Sequence, residues 1–481
     1  MNEYQLKRST PEQQGVRSEA LIKLIEAVEQ CRTQDMDQDL HSIMVLRHGT
    51  VIAEGWWKPY SSDKRHLLFS LSKSFTSTAI GFAVTEGLLT VEDPVTDYFK
   101  EECPAASGYL AEMRIKHLLS MSTGHVVDTT EFFFKREDGN WVKAFLDVPV
   151  EKEPGTHFLY NTGATYMLSV IIQKVTGLKL VDYLRPRLFE PLGIRNPVWE
   201  ECPKGYNTCG FGLSITTEDI ARFGQLYLEK GVFNGSRILP EKWIDEATNF
   251  HIANGTDKDS DWSQGYGYQF WRCRHNIYRG DGAFGQYCIV LPEQDMVIAI
   301  TSGLKDMQKP LNLIWDNLLE GITDEVLPES AKSGILKEKL DSLQVLMPAG
   351  QKISDITGEY QGSTYRLTEN PFSFDTIRFE FDSDIIRLGV SLKGENQILE
   401  AGVGKWCKGT MLNGGKKEPV MMTGIWTEKS DLLVQCRSLE TPFALQTRYI
   451  FNKNELSFEA KVNVGFEETN DIKISGSRIK E

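Results

Sequence analysis

The chain has 481 residues, of which 41% are hydrophobic and 25% are charged, and its formal net charge is −14. This length exceeds the roughly 250 to 300 residues beyond which one hydrophobic core stops growing, so we expect two domains. The composition is that of an ordinary globular protein and excludes a fibrous or disordered one. A surface of this charge repels phosphate backbones and anionic lipids, which argues against nucleic acid and membrane partners.

The sequence carries no signal for secretion or for a metal. Residues 1–15 lack the basic segment and apolar run of a secretory signal, and no stretch of about 18 apolar residues occurs, so we expect a cytoplasmic protein. The eight cysteines form no CxxC pair and are expected to be reduced thiols. The histidines form no HExxH or HxH motif and the cysteine spacing does not suit zinc, so we predict no metal site, and we expect no organic cofactor either.

The first part of the chain predicts a helix, a hairpin and a second helix. Apolar residues at helical spacing predict a helix over 18–30. Alternation over 43–57, interrupted by His48-Gly49, predicts two strands joined by a tight turn. Residues 70–86 are apolar or small, contain no proline and stop at Gly87, so they predict a buried helix ended by a glycine cap.

The middle of the chain predicts helices, and strands return after it. Between 88 and 265 the apolar spacing is mostly helical. Strand patterns then occupy 267–273, 277–280, 286–291 and 296–302, before a helix near 309–319. This order predicts one sheet built from both ends of the region, beside an all-helical region.

From about residue 350 the chain changes to short alternating runs separated by turn residues. Such runs are typical of antiparallel barrels and sandwiches. The runs lie at 377–381, 419–426, 432–436, 448–451 and 456–462. The break at 348–350 therefore separates a domain of residues 1–345 from a β-rich domain of residues 350–481.

The sequence Ser-Leu-Ser-Lys at 70–73 stands where a loop enters the buried helix. At positions i and i+3 the Ser70 hydroxyl and the Lys73 amine lie on one face, so a neutral amine could accept the serine proton. The helix N-terminus adds a free N–H and a positive dipole near the same oxygen. A surface pair is the common explanation of this spacing, but the neighbours Phe75 and Ala79 make this helix too apolar for the surface. We therefore predict Ser70 as a nucleophile that Lys73 activates.

Tyr160, Asn161 and Thr162 precede a predicted helix over 165–176. A phenol close to Ser70 could relay protons as a general base or acid. Packing at a helix start is the alternative explanation of this tyrosine.

A glycine-rich segment, Gly280-Asp281-Gly282-Ala283, leads into the strand predicted at 286–291. Glycines at a strand edge let a substrate backbone approach and offer their N–H groups to it. The Ala283 N–H could be the second donor of an oxyanion hole. A plain hairpin turn is the alternative.

Together these motifs resemble the class C β-lactamase, esterase and D-aminopeptidase superfamily, which is penicillin-binding-protein-like, in order and approximate spacing. The segments 69–75, 117–121, 154–160 and 282–286 also resemble sequence segments typical of that family. The likeness covers roughly residues 10 to 325. The resemblance implies an α+β, β-lactamase/transpeptidase-like fold, in which an antiparallel sheet flanked by helices lies beside an all-helical region. It also suggests that the β-rich domain is an eight-stranded, lipocalin-like barrel.

The resemblance implies a role for each motif residue. Ser70 becomes the acylated nucleophile, Lys73 its base or proton shuttle and Tyr160 a general base, while the N–H groups of Ser70 and Ala283 form the oxyanion hole. The third residue of the family's tyrosine motif is usually Asn, whereas this chain has Thr162 there, with Asn161 shifted by one position, so we expect Asn161 and Thr162 to face the substrate.

The third motif also departs from the family. Its Lys-Thr-Gly or His-x-Gly triad corresponds to Gly280-Asp281-Gly282, so the cation that would hold a substrate carboxylate is absent, although Arg279 stands nearby. We therefore expect hydrolysis of an ester, an amide or a D-amino-acid peptide, on a small-molecule or short peptide substrate, more than of β-lactams. A penicillin-binding-like sensor with little or no turnover is the alternative. If the Ser-x-x-Lys spacing is accidental, Lys73 should be exposed and distant from Tyr160. The oligomeric state stays open.

Overall fold

The computed structural model describes residues 6–392, 395–413, 415–468 and 471–479. A seven-stranded sheet forms the centre of the N-terminal domain. Its strands in chain order are Lys7–Arg8 (β1), Gln38–Arg47 (β2), Thr50–Trp56 (β3), Trp271–Arg272 (β4), Tyr278–Gly282 (β5), Gln286–Leu291 (β6) and Met296–Leu304 (β7). Their spatial order is β1-β3-β2-β7-β6-β5-β4, and every pairing is antiparallel except that of β1 with β3. The prediction that both ends of this region share one sheet is confirmed.

Helices cover both faces of this sheet. The helices of eight or more residues in the described chain are Ser18–Gln30 (α1), Ser72–Thr85 (α2), Thr162–Thr176 (α3), Thr217–Leu228 (α4), Glu241–Thr248 (α5), Gln308–Asn317 (α6) and Ala331–Asp341 (α7). Side chains of β2 alternate between the faces. Ile43 and Val45 join the core that contains α1, α6 and α7, whereas Met44 and Leu46 join the core that contains α2, α3 and α4.

The region between α2 and α4 is mostly helical, as expected. Its shorter α-helices are Tyr109–Glu112, Ile115–Leu119, Thr130–Phe133, Trp141–Asp147 and Leu180–Leu184. A small sheet of His66–Leu67, Leu213–Ile215 and Val198–Trp199 ties this region to the segment that precedes α2. This small sheet thus joins the helical region to the segment that leads into the Ser70 motif.

The prediction of a strand over 267–273 is mostly wrong, because only Trp271–Arg272 pairs in the sheet. The backbone N–H groups before it have other acceptors. Tyr268 donates to Ala247 O at 2.8 Å and Gln269 to Leu119 O at 3.1 Å, so this segment is held by the helical region instead of by a neighbouring strand. Tertiary hydrogen bonds have overridden the local strand pattern here.

The C-terminal domain is a β-barrel. Its strands are Thr364–Leu367 (β8), Phe374–Phe381 (β9), Ile385–Leu392 (β10), Glu395–Val403 (β11), Cys407–Asn413 (β12), Lys416–Glu428 (β13), Asp431–Ser438 (β14), Ala444–Asn452 (β15), Glu455–Val462 (β16) and Ile472–Arg478 (β17). Nine of them close a ring, since β13 returns to pair with β11 at Gly402–Thr423 and Val403–Gly424. Strand β12 extends the hairpin with β13.

The expectation of eight strands is therefore wrong by one. All five predicted runs lie on strands, but β8, β10, β11, β12 and β17 gave no recognised pattern. Strand β8 has only four residues, and the first half of β11 is largely exposed, so neither carries enough inward apolar residues to show alternation.

We propose a domain boundary between residues 344 and 351. Gln344 forms a β-bridge with Lys58 of the N-terminal domain, whereas Gln351 forms one with Trp426 of the barrel. The change of partner within this short segment supports the division expected from the sequence.

Candidate active site

Ser70 lies in a single 3-10 turn, Phe69–Leu71, at the entrance to α2. The helix itself begins at Ser72, later than the sequence predicted. The backbone of Phe69 has a φ of 46°, a left-handed conformation that costs a non-glycine residue energy. Ser70 is half-buried, and as a residue of a first turn its N–H has no intrahelical acceptor.

Lys73 is almost completely buried, with 1% of its surface exposed. Its Nζ lies 3.0 Å from Ser70 Oγ, 2.6 Å from Gly210 O and 3.3 Å from Thr162 Oγ1. A neutral amine has two N–H donors and one lone pair, so it can donate to Gly210 O and Thr162 Oγ1 while it accepts from the serine. The interpretation of an accidental motif required an exposed Lys73, and this burial contradicts it.

Burial lowers the pKa of Lys73 to about 7, although the Asp128 and Asp281 carboxylates act in the opposite direction. Removing an ammonium group from water disfavours its charged form, and here this effect dominates. A substantial fraction of Lys73 is therefore a free base at neutral pH.

Tyr160 lies beside both groups. Its ring centroid is 4.9 Å from Lys73 Nζ, and the ring stacks on Trp271 with centroids 5.2 Å apart. Burial and the Asp281 carboxylate raise the pKa of Tyr160, while its hydrogen bond with Ser70 acts in the opposite direction. The phenol is therefore protonated at neutral pH, which suits a proton donor better than the general base that the resemblance implied.

Asn161 and Thr162 do different jobs at the start of α3. Asn161 has no exposed surface, and its Oδ1 accepts hydrogen bonds from the N–H and hydroxyl of Thr129 and from the N–H of Gly163. It is the N-cap residue of α3. The expectation that Asn161 faces the substrate is not supported by this placement, whereas Thr162 reaches Lys73 directly.

Strand β5 carries Gly280, Asp281 and Gly282, so these residues are not in a hairpin turn. A Cβ on Gly280 would lie 2.5 Å from Ser74 Oγ, and a Cβ on Gly282 would lie 1.9 Å from Leu68 O. Only glycine at both positions allows the strand to lie this close to the serine turn.

The tight turn occupies Ala283, Phe284 and Gly285, directly after β5. Ala283 O accepts from Gln286 Nε2 at 3.1 Å, and Phe284 O accepts from Ser302 Oγ at 2.9 Å. Both donors are fully buried side chains of the sheet, so the turn is held from the interior of the domain.

Arg279 and Asp281 form an ion pair at 2.9 Å that is buried on β5. Arg279 has no exposed surface, and its guanidinium lies over the Trp262 ring, 4.3 Å from the centroid, and donates to Asp261 O at 2.7 Å. It is thus unavailable to a substrate carboxylate in this conformation.

Two contributors to the site gave no signal in the sequence. Gly210 contributes only its carbonyl oxygen, which no side-chain pattern reveals. Asp128 accepts a hydrogen bond from the Thr162 N–H at 3.2 Å, and its negative charge raises the pKa of Lys73. It lies in an irregular segment without a motif.

Within the described ranges, no group of three or more His, Cys, Asp or Glu side chains is arranged to hold a metal ion. No helix in that part of the chain has both the length and the apolar character needed to cross a membrane.

Comparisons with known proteins show what this chain is similar to. A family model described as Beta-lactamase matches residues 29–320. A 6-aminohexanoate-dimer hydrolase of Paenarthrobacter ureafaciens is 28% identical over 346 residues, which cover 66% of this chain and 85% of the relative. Penicillin-binding protein 4 of Amycolatopsis lactamdurans is 27% identical over 237 residues, 42% of this chain and 60% of the relative. The octameric penicillin-binding protein homologue from Pyrococcus abyssi superposes over 93% of this chain and 99% of its own, with a TM-score of 0.51 and 16% identity, which is a likeness of fold alone.

Proposed function

Because the chain belongs to the Beta-lactamase family, we propose that it is a serine hydrolase that forms an acyl-enzyme on Ser70. The observation that carries this proposal is the 3.0 Å contact between Ser70 Oγ and the buried amine of Lys73. With a pKa of about 7, a substantial fraction of this amine is a free base at neutral pH and can accept the serine proton.

In the first step Lys73 takes the hydroxyl proton while Ser70 Oγ forms a bond to the substrate carbonyl carbon. The carbonyl oxygen becomes an oxyanion, and the N–H groups of Ser70 and Ala283 stabilise it. Tyr160 then donates its phenol proton to the leaving group as the bond to that group breaks, and the Lys73 ammonium returns a proton to the phenolate. In the second step water attacks the acyl-enzyme and its proton passes to Lys73. As the bond between Ser70 Oγ and the acyl carbon breaks, Tyr160 donates its phenol proton to Oγ, the Lys73 ammonium returns a proton to the phenolate, and a carboxylic acid is released.

The charge near the site favours substrates without a carboxylate at β5. Arg279 is neutralised by Asp281 and packed beneath Trp262, so no described cation of this strand is free to bind an anion there. The relative from Paenarthrobacter ureafaciens is named as a hydrolase of the 6-aminohexanoate dimer. This name supports an amide substrate. We therefore propose that linear amides, esters or D-amino-acid peptides are hydrolysed in preference to β-lactams.

The test is turnover of p-nitrophenyl acetate together with the intact mass of the protein during the reaction. Wild type should release p-nitrophenol continuously, Ser70→Ala should release none above background, and Tyr160→Phe should accumulate the acetylated protein. Ser62→Ala, at an exposed serine in the same loop region, is the matched control and should behave as wild type.

Each other outcome contradicts a stated part of the proposal. Equal rates for wild type and Ser70→Ala would show that Ser70 is not the nucleophile. One equivalent of p-nitrophenol followed by a stable adduct on wild type would favour the penicillin-binding-like sensor. Faster turnover of the β-lactam nitrocefin than of a linear p-nitroanilide would reverse the proposed substrate preference.

A further inference from the structure

Two loops of the barrel reach the catalytic end of the N-terminal domain. The 443 loop, residues 439–443, joins β14 to β15, and the 466 loop, residues 463–468, follows β16. The Leu67 N–H, three residues before the nucleophile, donates to Glu440 O of the 443 loop at 2.8 Å. The backbone that leads into Ser70 is thus hydrogen-bonded to the other domain.

Four phenylalanine rings meet at this contact, and we call them the aromatic cluster. Phe69 and Phe284 belong to the N-terminal domain, and Phe443 and Phe466 belong to the two barrel loops. Phe69 and Phe284 pack edge to face, with centroids 5.4 Å apart at 86°. Phe466 lies 5.6 Å from Phe69 and 5.0 Å from Phe284, and Phe443 lies 6.2 Å and 5.7 Å from the same rings. Each barrel ring therefore touches both rings of the catalytic domain.

The two catalytic-domain rings flank the two proposed oxyanion donors. Phe69 directly precedes Ser70, and Phe284 directly follows Ala283. Both phenylalanines have left-handed backbones, with φ of 46° and 65°. Non-glycine residues keep such conformations only where the surrounding packing holds them. The cluster adds packing at these two positions to the hydrogen bonds by which Gln286 and Ser302 hold the Ala283 turn.

The loops themselves are firmly docked. A Cβ on Gly303 of β7 would lie 2.5 Å from Pro442 O and 2.8 Å from Asn463 Nδ2, so the sheet and both loops are in close contact. Asn463 is 2% exposed and donates to Pro442 O at 2.9 Å, which joins one loop to the other. The loops are therefore docked on the sheet at Pro442, one residue before Phe443, and at Asn463, three residues before Phe466.

We propose that Phe443 and Phe466 are positioning residues, through which the barrel sets the separation and orientation of the Ser70 and Ala283 N–H groups. They act on the oxyanion hole through Phe69 and Phe284 and touch no reacting atom. This inference rests on the proposed function, since it concerns the transition state of the same acyl transfer. The barrel is accordingly part of the catalytic unit.

Loss of a barrel ring should reduce kcat and leave KM nearly unchanged, because a displaced oxyanion donor affects the transition state and not the bound ester. We expect Phe466→Ala to lower kcat by about tenfold and the double variant Phe443→Ala/Phe466→Ala by more, for every ester tested. Phe466→Tyr keeps the ring and should retain the wild-type kcat. Phe372→Ala, at a barrel phenylalanine stacked on Phe374 outside the cluster, is the matched control and should also retain it.

The assay is hydrolysis of p-nitrophenyl acetate and p-nitrophenyl octanoate by the full chain, with thermal unfolding of each variant. Since Phe466 is 76% exposed, its truncation should change the melting temperature only slightly. A cleft of about 570 Å³ lies between the 466 loop and Ala283, so Phe466 could instead be a wall of the substrate pocket. A KM effect that grows with acyl chain length at constant kcat would show such a wall and overturn the positioning role.

An unchanged kcat in both variants would also overturn it, as would a loss of kcat that follows a lowered melting temperature. These results differ from failure of the proposed function, in which Ser70→Ala would be as active as wild type.

Discussion

The buried amine of Lys73 can be tested by its effect on folding, independently of any substrate. Lys73→Met keeps the length and apolar stem of the side chain and removes the titrating group. Burial holds the pKa of Lys73 at about 7 in the folded chain, against 10.5 for a free lysine. Between these two values the unfolded chain binds more protons than the folded one, so the stability of wild type rises with pH. Below pH 7 the full cost of burying the ammonium is present.

The size of this effect follows from the two pKa values. Proton linkage makes Lys73 unfavourable to folding by roughly 4 kcal/mol at pH 7 and by roughly 2 kcal/mol at pH 9. Lys73→Met removes this contribution at both pH values. It also loses the contacts with Gly210 and Thr162, but that loss is the same at both pH values and cancels in the comparison. The advantage of the variant over wild type should therefore shrink by about 2 kcal/mol from pH 7 to pH 9.

Urea unfolding followed by tryptophan fluorescence measures both proteins at both pH values. Lys100→Met is the control, since that lysine side chain is 75% exposed, and its difference from wild type should be independent of pH. Parallel pH dependences for wild type and Lys73→Met would refute the depressed pKa and with it the role of Lys73 as a base. Lys73→Met should also be unable to hydrolyse p-nitrophenyl acetate.

Further changes test the strand beside the serine, the domain contact and the charge in the site. Gly282→Ala places a Cβ 1.9 Å from the carbonyl oxygen of Leu68, two residues before the nucleophile. The value of kcat for p-nitrophenyl acetate should therefore fall by about 100-fold. A near-normal kcat would show that β5 can move. Arg437 of the barrel has no exposed surface, and its guanidinium lies 2.8 Å from the Asp39 carboxylate. Asp39→Asn removes that negative charge and should lower the free energy of unfolding in urea by about 3 to 5 kcal/mol. An unchanged value would mean that the pair is hydrated. Asp281→Asn removes a negative charge that raises the pKa of Lys73, so the acidic limb of the pH–kcat/KM profile should move to lower pH, and a shift to higher pH would contradict this electrostatic effect.

Much of the architecture was predictable because it depends on local patterns. The prediction of α1 is confirmed to the residue, since its apolar stripe is regular and faces a single core. The buried character of α2 also followed from composition, because a helix without a polar face has no surface on which to lie. That composition led to a buried Lys73, and the structure places Lys73, Ser70 and Tyr160 together, while their chemical roles stay predictions.

The parts that were not predictable depend on distant partners. The segment before β4 alternates like a strand, but its N–H groups bond to α5 and to the helical region, which only the folded chain brings near. The same holds for Gly210, whose carbonyl oxygen contacts Lys73 without any side chain that a motif could include. The Asn161–Thr162 shift gave an ambiguous signal, and the hydrogen bonds of Asn161 to Thr129 decide it.

The contact between the barrel and the serine turn shows why motifs considered one domain at a time are incomplete here. A left-handed backbone at Phe69 and at Phe284 costs on the order of 1 kcal/mol each, and such a cost persists only where packing exceeds it. Part of that packing comes from Phe443 and Phe466, which follow the serine by several hundred residues and belong to a domain without a catalytic motif. A barrel that served only as an appendage would not need to place two aromatic rings against both turns. We therefore propose that catalysis in the N-terminal domain depends on loop residues of the barrel, where a sequence pattern shows only turns between strands.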